Sequence, residues 1–237
     1  MIRGAAALVA VGVAAQAAPA LAAITPMRRI LFPGLSGQGN VGHVALTFDD
    51  GPDPISTPRF LDFLAAERIT ATFFLLGSQL RRAPGLGAEL VAAGHEVGVH
   101  GFEHRCLLTR SPAATHRDLA AARDLIADLT GTAPRWYRPP YGVLTTAGLL
   151  AARRLGMRSV LWTTWGRDWE RGATPASIAA TIARPLQPGG TILLHDSDCT
   201  SAPGSWSRTL AALPAVLDAV RGRGLALGPL GEHGVVN

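Results

Sequence analysis

His43-Val44-Ala45-Leu46-Thr47-Phe48-Asp49-Asp50-Gly51-Pro52 decides how the chain is read. A short, mostly apolar run, His43 to Phe48, is bounded by turn residues, which marks a buried strand. Two adjacent carboxylates follow, and Gly51-Pro52 then turns the chain. Neighbouring aspartates often make no more than a solvated turn. At the end of a buried strand they also form a pair of acids held at one edge of a sheet.

The same grammar repeats after this stretch. Further β-like runs are Thr72 to Leu76, Glu96 to Val99, Arg135 to Arg138, Ser159 to Trp162, Thr191 to Leu194 and Leu225 to Leu227. Between them the pattern predicts helices over 57–67, 79–93, 112–129, 145–155, 175–184 and 207–222, several starting after Ser, Thr or Pro. Leu119, Leu125, Ile126 and Leu129 recur at helical spacing and read as core. Alternation of this kind implies a parallel sheet or a barrel, and seven runs are many for an open sheet of this size.

The chain has 237 residues, enough for one sizeable catalytic domain. Hydrophobic residues make up 48% and charged residues 16%, too apolar for disorder. The formal charge of +5 comes from Arg scattered along the chain. It lacks the basic run that tracks a phosphate backbone, so no nucleic-acid partner is expected. Mild attraction to anionic surfaces and a plain compositional bias explain it equally well. Residues 1–26 begin with a basic Met-Ile-Arg, continue through an Ala/Val/Leu-rich middle and end in small residues. They read as a signal peptide or membrane anchor, with an amphipathic helix packed on the domain as the competing reading. Residues 27–42 read as a linker and 43–237 as the catalytic domain. The protein is therefore expected to be secreted or held at the cell surface, with membrane or cell-wall association through this segment, and to be a monomer.

The polar residues collect at the carboxyl ends of the strand candidates, where loops converge over the mouth of a parallel α/β fold. They are Asp49 and Asp50, His100 and His104, Arg138, Asp168, and His195. His100-Gly-Phe-Glu-His104 sets two imidazoles at i, i+4, within reach of one metal ion if helical, or a mere surface pair. Two His and one carboxylate leave coordination positions open for water and substrate, which suits metal-assisted hydrolysis. One aspartate could ligate while its neighbour takes the proton from water.

Five segments then occur in a recognisable order: Thr47 to Pro52, His100-x-x-x-His104, Arg138-Pro139-Pro140-Tyr141-Gly142, Asp168-Trp169 and Leu193-Leu194-His195. In this the chain resembles the polysaccharide deacetylases with a NodB-like domain, carbohydrate esterase family four, over roughly residues 43 to 230. The resemblance implies a distorted or incomplete (β/α) barrel of about seven parallel strands. It implies removal of N-acetyl groups from an acetylated glycan, chitin-like or peptidoglycan. It implies a divalent metal on Asp50, His100 and His104, zinc first, with cobalt or another divalent ion as alternatives. Asp49 would be the general base and His195 the general acid. Arg138 would hold Asp49, with Asp168 in support, Tyr141 would lend its backbone N–H to the oxyanion, and Leu193 and Trp169 would line the substrate pocket.

Two positions depart from the family pattern. Trp165 stands where the fourth motif often has an acid, which bears on groove shape, and Gly101 stands where Ser or Thr is common. Cys106 and Cys199 lie close in sequence to His104 and His195 and are either a disulfide pair or two thiols. A metal-dependent amidase acting on a non-sugar amide and a non-catalytic carbohydrate-binding relic are the other readings of the same residues.

Overall fold

Along β1 (His43–Asp49), Val44, Leu46 and Phe48 alternate with Ala45, Thr47 and Asp49. Successive side chains leave a strand on opposite faces, so this pattern sends large apolar groups one way and small or polar ones the other. The computed structural model describes residues 2–235, with backbone alone for 2–9. In it, Val44, Leu46 and Phe48 join the main core under the helices, together with Phe60 and Leu64. Phe48 stacks on Phe73 with ring centroids 5.0 Å apart. Ala45 instead joins a second cluster with Phe74, Trp136, Val160 and Leu230. Thr47 and Asp49 share its side of the strand.

The other strands are β2 (Thr72–Leu76), β3 (Glu96–Gly101), β4 (Trp136–Tyr137), β5 (Arg158–Ser159), β6 (Thr164–Trp165), β7 (Thr191–His195) and β8 (Ala226–Gly228). The helices are α1 (Ile2–Ala17), α2 (Thr25–Leu31), α3 (Thr57–Glu67), α4 (Gly77–Arg82), α5 (Pro84–Ala92), α6 (Pro112–Thr130), α7 (Thr146–Arg154), α8 (Pro175–Ala183) and α9 (Ser205–Arg221). Every strand pairing is parallel, in the order β5-β4-β3-β2-β1-β7-β6, and β8 pairs with the start of β1. This is the expected incomplete (β/α) barrel: seven strands in one path, plus the short eighth. Asp49 lies opposite His195 in the β1–β7 register, so a base candidate and an acid candidate 146 positions apart become neighbours.

Two expected elements differ. The helix predicted over 79–93 is broken into α4 and α5. Pro84 lacks an N–H and disfavours helical geometry at the residue before it, and Ala83 accordingly sits at φ −136, ψ 64. The strand predicted over Ser159 to Trp162 is divided between β5 and β6. The chain over 158–165 pairs with β4 at its start and with β7 at its end, and its middle is served from elsewhere.

That middle is served by the segment before β1. Leu161 N donates to Leu35 O at 2.8 Å, and Thr191 Oγ1 donates to Gly37 O at 2.6 Å. Ala22 is buried with Leu161, Trp162 and Leu193, with Phe32 and Leu35 packed beside them. Arg28 is also buried: it donates to Ala22 O at 3.2 Å and lies 5.4 Å from the Trp162 ring centroid. Burial, with the charges of Arg138 and Arg29, lowers its pKa to about 10. The residues expected as a linker, 27–42, thus cover the barrel seam. Among the described residues no single helix is long and apolar enough to cross a membrane; only Ala10–Ala23 with Thr25–Leu31, bent by 114°, reaches that length.

Candidate active site

Asp50, His100 and His104 converge at the carboxyl ends of β1 and β3, with one ligand atom from each lying within 4.8 Å of the others. His100 Nε2 is 3.3 Å and His104 Nε2 is 3.5 Å from Asp50 Oδ1. His104 follows β3 in a loop, so the pair meets through a turn of chain at Gly101 (φ 112) rather than through a helix. Only glycine takes that backbone geometry without strain.

The donor set fits a divalent ion. Asp50 Oδ1 is buried without a hydrogen-bond partner, a costly state for a carboxylate oxygen unless a cation or donor satisfies it. His100 Nδ1 bonds the Arg138 carbonyl at 2.8 Å, so Nδ1 carries the hydrogen and the Nε2 lone pair points to Asp50. Burial alone would raise the Asp50 carboxyl, but the close approach of His100 and the charge of His195 hold it well below the usual carboxylate range. Burial, reinforced by His100, pulls His104 down to about 4, which keeps its ring neutral and available as a ligand.

Asp49 points into the same cavity from the inner face of β1. Arg138, fully buried at the end of β4, donates through Nη1 to Asp49 Oδ1 at 2.7 Å and to Thr47 Oγ1 at 2.7 Å, and through Nη2 to Leu161 O at 3.0 Å. Its guanidinium lies 4.1 Å from the Phe74 ring centroid. Asp49 Oδ1 is therefore occupied and Oδ2 is the freer oxygen. His195 enters from β7. Its Nδ1 bonds Asp168 Oδ1 at 3.0 Å, and Asp168 Oδ2 accepts from His195 N at 2.8 Å and Thr209 Oγ1 at 2.9 Å. Burial opposes a charge on His195, yet Asp168, with help from Asp50 and Asp49, raises its pKa to about 10.

These groups and the predicted substrate residues line one cavity of about 250 Å³. Leu193 and Trp162 form its buried apolar wall, backed by Ala22. Tyr141, 61% exposed, sets its ring edge-on to His104 at 4.4 Å. The turn around Tyr141 is bonded from Gly142 N to Pro139 O and from Val143 N to Pro140 O, so the Tyr141 N–H is not spent on it. Trp162, Trp165 and Trp169 continue ring to ring, at 5.6 and 5.1 Å, as far as His195 at 5.5 Å. Trp165 thus replaces an acid with a half-exposed aromatic surface at the rim.

All ten residues expected at the site are present in or directly behind this cavity. The sequence reading missed Trp162 as a pocket wall, Thr209 behind Asp168, and Thr200, whose Oγ1 donates to Asp50 Oδ2. Thr200 lies only five positions after His195, but nothing in its surroundings announces a metal site. Groups that orient a ligand commonly affect metal affinity by about 10- to 100-fold. Thr200→Val is therefore expected to weaken zinc binding at least about tenfold in competition with a chromophoric chelator, and Thr200→Ser to restore it. Cys106 and Cys199 are both free thiols.

Asp196, next to His195, is fully buried against the turn after Asp50. Thr57 Oγ1 donates to its Oδ2 at 2.5 Å, while Oδ1 has no partner. Burial, opposed by the Thr57 bond and reinforced by the Asp50 charge, pushes its carboxyl up to about 7 from an ordinary 3.8. Between those values the folded chain holds a proton that the unfolded chain has released, so stability falls as pH rises through this window. Asp196→Asn removes that slope. From pH 5 to pH 8 the wild type should lose on the order of 2 kcal/mol more than the variant, read from urea midpoints.

Fold and cavity define an α/β barrel with an Asp/His/His set that could hold a metal ion, beside an Asp–Arg pair and an Asp–His pair. Residues 36–160 match the polysaccharide deacetylase family. The chitooligosaccharide deacetylase of Bradyrhizobium sp. (strain ANU 289) is 36% identical over 195 residues, 79% of this chain and 88% of that protein. A peptidoglycan-N-acetylglucosamine deacetylase of Bacillus cereus is 32% identical over 183 residues, 76% of this chain and 83% of that one. The solved family 4 carbohydrate esterase from Streptomyces lividans, in complex with acetate, is 30% identical with a TM-score of 0.72, covering 82% of this chain and 97% of that one. The chain belongs to the polysaccharide deacetylase family and is a polysaccharide deacetylase; enzymes of this family are metal-dependent.

Proposed function

We propose that the protein removes N-acetyl groups from an N-acetylated glycan, of chitooligosaccharide or peptidoglycan type, using Asp49 as general base and His195 as general acid. The observation that carries this is a single cavity in which Asp49, held by Arg138 at 2.7 Å, faces the Asp50/His100/His104 set on one side and His195 on the other.

A divalent ion, zinc first, held by Asp50, His100 and His104 would polarise the acyl oxygen and acidify water. Asp49 takes the proton of the attacking water at Oδ2, because Oδ1 is committed to Arg138. The Tyr141 N–H donates to the acyl oxygen as charge grows on it. The carbon–nitrogen bond then breaks. His195, its Nδ1 tied to Asp168, gives the proton on Nε2 to the departing sugar amine, and acetate is the other product. Leu193 and Trp162 enclose the acetyl methyl, and Trp169 and Trp165 offer faces to the sugar ring.

We place the enzyme outside the cytoplasm or at the cell surface, as a monomer, on the strength of the apolar run in residues 1–26 and of a glycan substrate found there. The test is acetate release from N-acetylglucosamine oligomers, soluble peptidoglycan strands and small N-acetyl amides, after chelation and again with zinc or cobalt restored. Metal-dependent release from either glycan supports the reading. Release from the small amides alone would make the protein a non-sugar amidase, and release from none, with metal bound, a binding relic.

A further inference from the structure

We propose that the active site continues into a second, cationic subsite that binds a carboxylate-bearing sugar next to the acetylated one. This rests on the deacetylase reading and adds a preference for acidic glycans.

The catalytic cavity has two unlike sides. Towards β6 it is aromatic, through Trp162, Trp165 and Trp169. On the other side His104 and Thr200 separate it from a neighbouring cavity of about 350 Å³ and line both. Three chain segments that follow neighbouring strands build this second cavity. The short helix α4 after β2 brings Ser78, Gln79 and Arg82, the loop after β3 brings Glu103 and Arg105, and the loop after β7 brings Thr200. A glycan that seats one sugar against the aromatic wall, with its acetamide at the metal ligands, has its next sugar across the His104–Thr200 divide.

The chemistry of that divide's far side is specific. Arg82 and Arg105 are exposed, and neither has a carboxylate at salt-bridge distance among the described residues. Glu103 faces the same cavity without pairing with either, so one positive charge remains in excess. Two guanidinium forks with a nearby amide and hydroxyl match a carboxylate, which they can bond in bidentate fashion. A neutral N-acetylglucosamine neighbour would use the polar groups but leave the charge unanswered. The carboxylate could belong to a uronic acid or to a lactyl ether on the sugar ring.

Three tetrasaccharides decide the matter: one of N-acetylglucosamine alone, one alternating it with glucuronate, and one alternating it with N-acetylmuramic acid. For the metal-loaded protein, kcat/KM for an acidic tetramer should exceed that for the neutral one by about tenfold, a modest return for partly exposed charge-assisted bonds. Which acidic tetramer wins identifies the source of the carboxylate. The double variant Arg82→Gln/Arg105→Gln should bring the acidic-to-neutral ratio down about tenfold through KM, and about 0.5 M salt should do the same to the wild type. Equal turnover of acidic and neutral tetramers, or a ratio that ignores both the substitutions and salt, would overturn the proposal while leaving deacetylation standing. Acetate from none of the three would sink the deacetylase reading and the subsite with it.

Discussion

Asp49→Asn lowers kcat for acetate release from N-acetylglucosamine oligomers by about a thousandfold, with zinc content and KM little changed; this is the outcome the geometry leads us to expect for loss of a general base. The substitution is nearly isosteric. Its side-chain oxygen can still accept from Arg138 Nη1, as Asp49 Oδ1 does at 2.7 Å, so the cavity keeps its shape. Asp50, His100 and His104, the candidate ligands, are untouched. What disappears is the second carboxylate oxygen that could receive a proton. Metal analysis beside steady-state kinetics checks the claim, because a role in holding metal would lower occupancy, and a role in binding sugar would raise KM. A rate within about tenfold of wild type would remove Asp49 as the base, leaving His195 as the next titratable group facing the cavity.

The reason so much of this site was readable in advance lies in where parallel strands end. His43 to Phe48 and Thr72 to Leu76 are short apolar runs with turn residues behind them, and each became a strand within one residue of its expected limits. Polar residues at such ends cannot scatter: Asp49, His100, Arg138 and His195 were carried to one mouth by the pairings of β1 with β2 and β7, and of β3 with β4. Local chemistry was less legible where its cause was distant. Thr200 reaches Asp50 across 150 positions and Thr209 reaches Asp168 from α9, and a hydroxyl in a loop or helix looks like any other until the partner arrives. The seam failed for a similar reason. Residues 158–165 are strand only at their two ends and bend at Thr163, their hydrogen bonds go to β4, to Leu35 and to β7 in turn, and a period-two pattern does not record which partner is taken. Ala22 and Arg28 are a further case. Their burial against Leu161 and Trp162 depends on a gap that exists only once the sheet has curled. Pro84 is different in kind, since the break it causes between α4 and α5 follows from the sequence itself.

Arg138→Met should destabilise the fold by about 3 to 5 kcal/mol, the cost of stranding a buried carboxylate without its partner. Arg138 is wholly inside, and its three acceptors, Asp49 Oδ1, Thr47 Oγ1 and Leu161 O, come from two different walls of the barrel. Methionine fills much of the volume above Phe74 and keeps apolar contact there, so most of the loss is electrostatic rather than a cavity. The reverse single change, Asp49→Asn, strands the guanidinium less severely, because Thr47 and Leu161 still accept from it. Combining the two removes both charges at once. The double variant should therefore be more stable than the sum of the single losses implies, with a coupling of about 2 kcal/mol in urea or thermal unfolding. That coupling separates two physical pictures that the activity assays cannot distinguish, since every variant in the cycle lacks the intact Asp49–Arg138 pair. If the losses add, Arg138 is held chiefly by Thr47 and Leu161 as a strut across the barrel interior. If they couple, the ion pair itself is what sets Asp49 in place, and the same contact that orients the base is one of the interactions holding β4 to β1 across the interior.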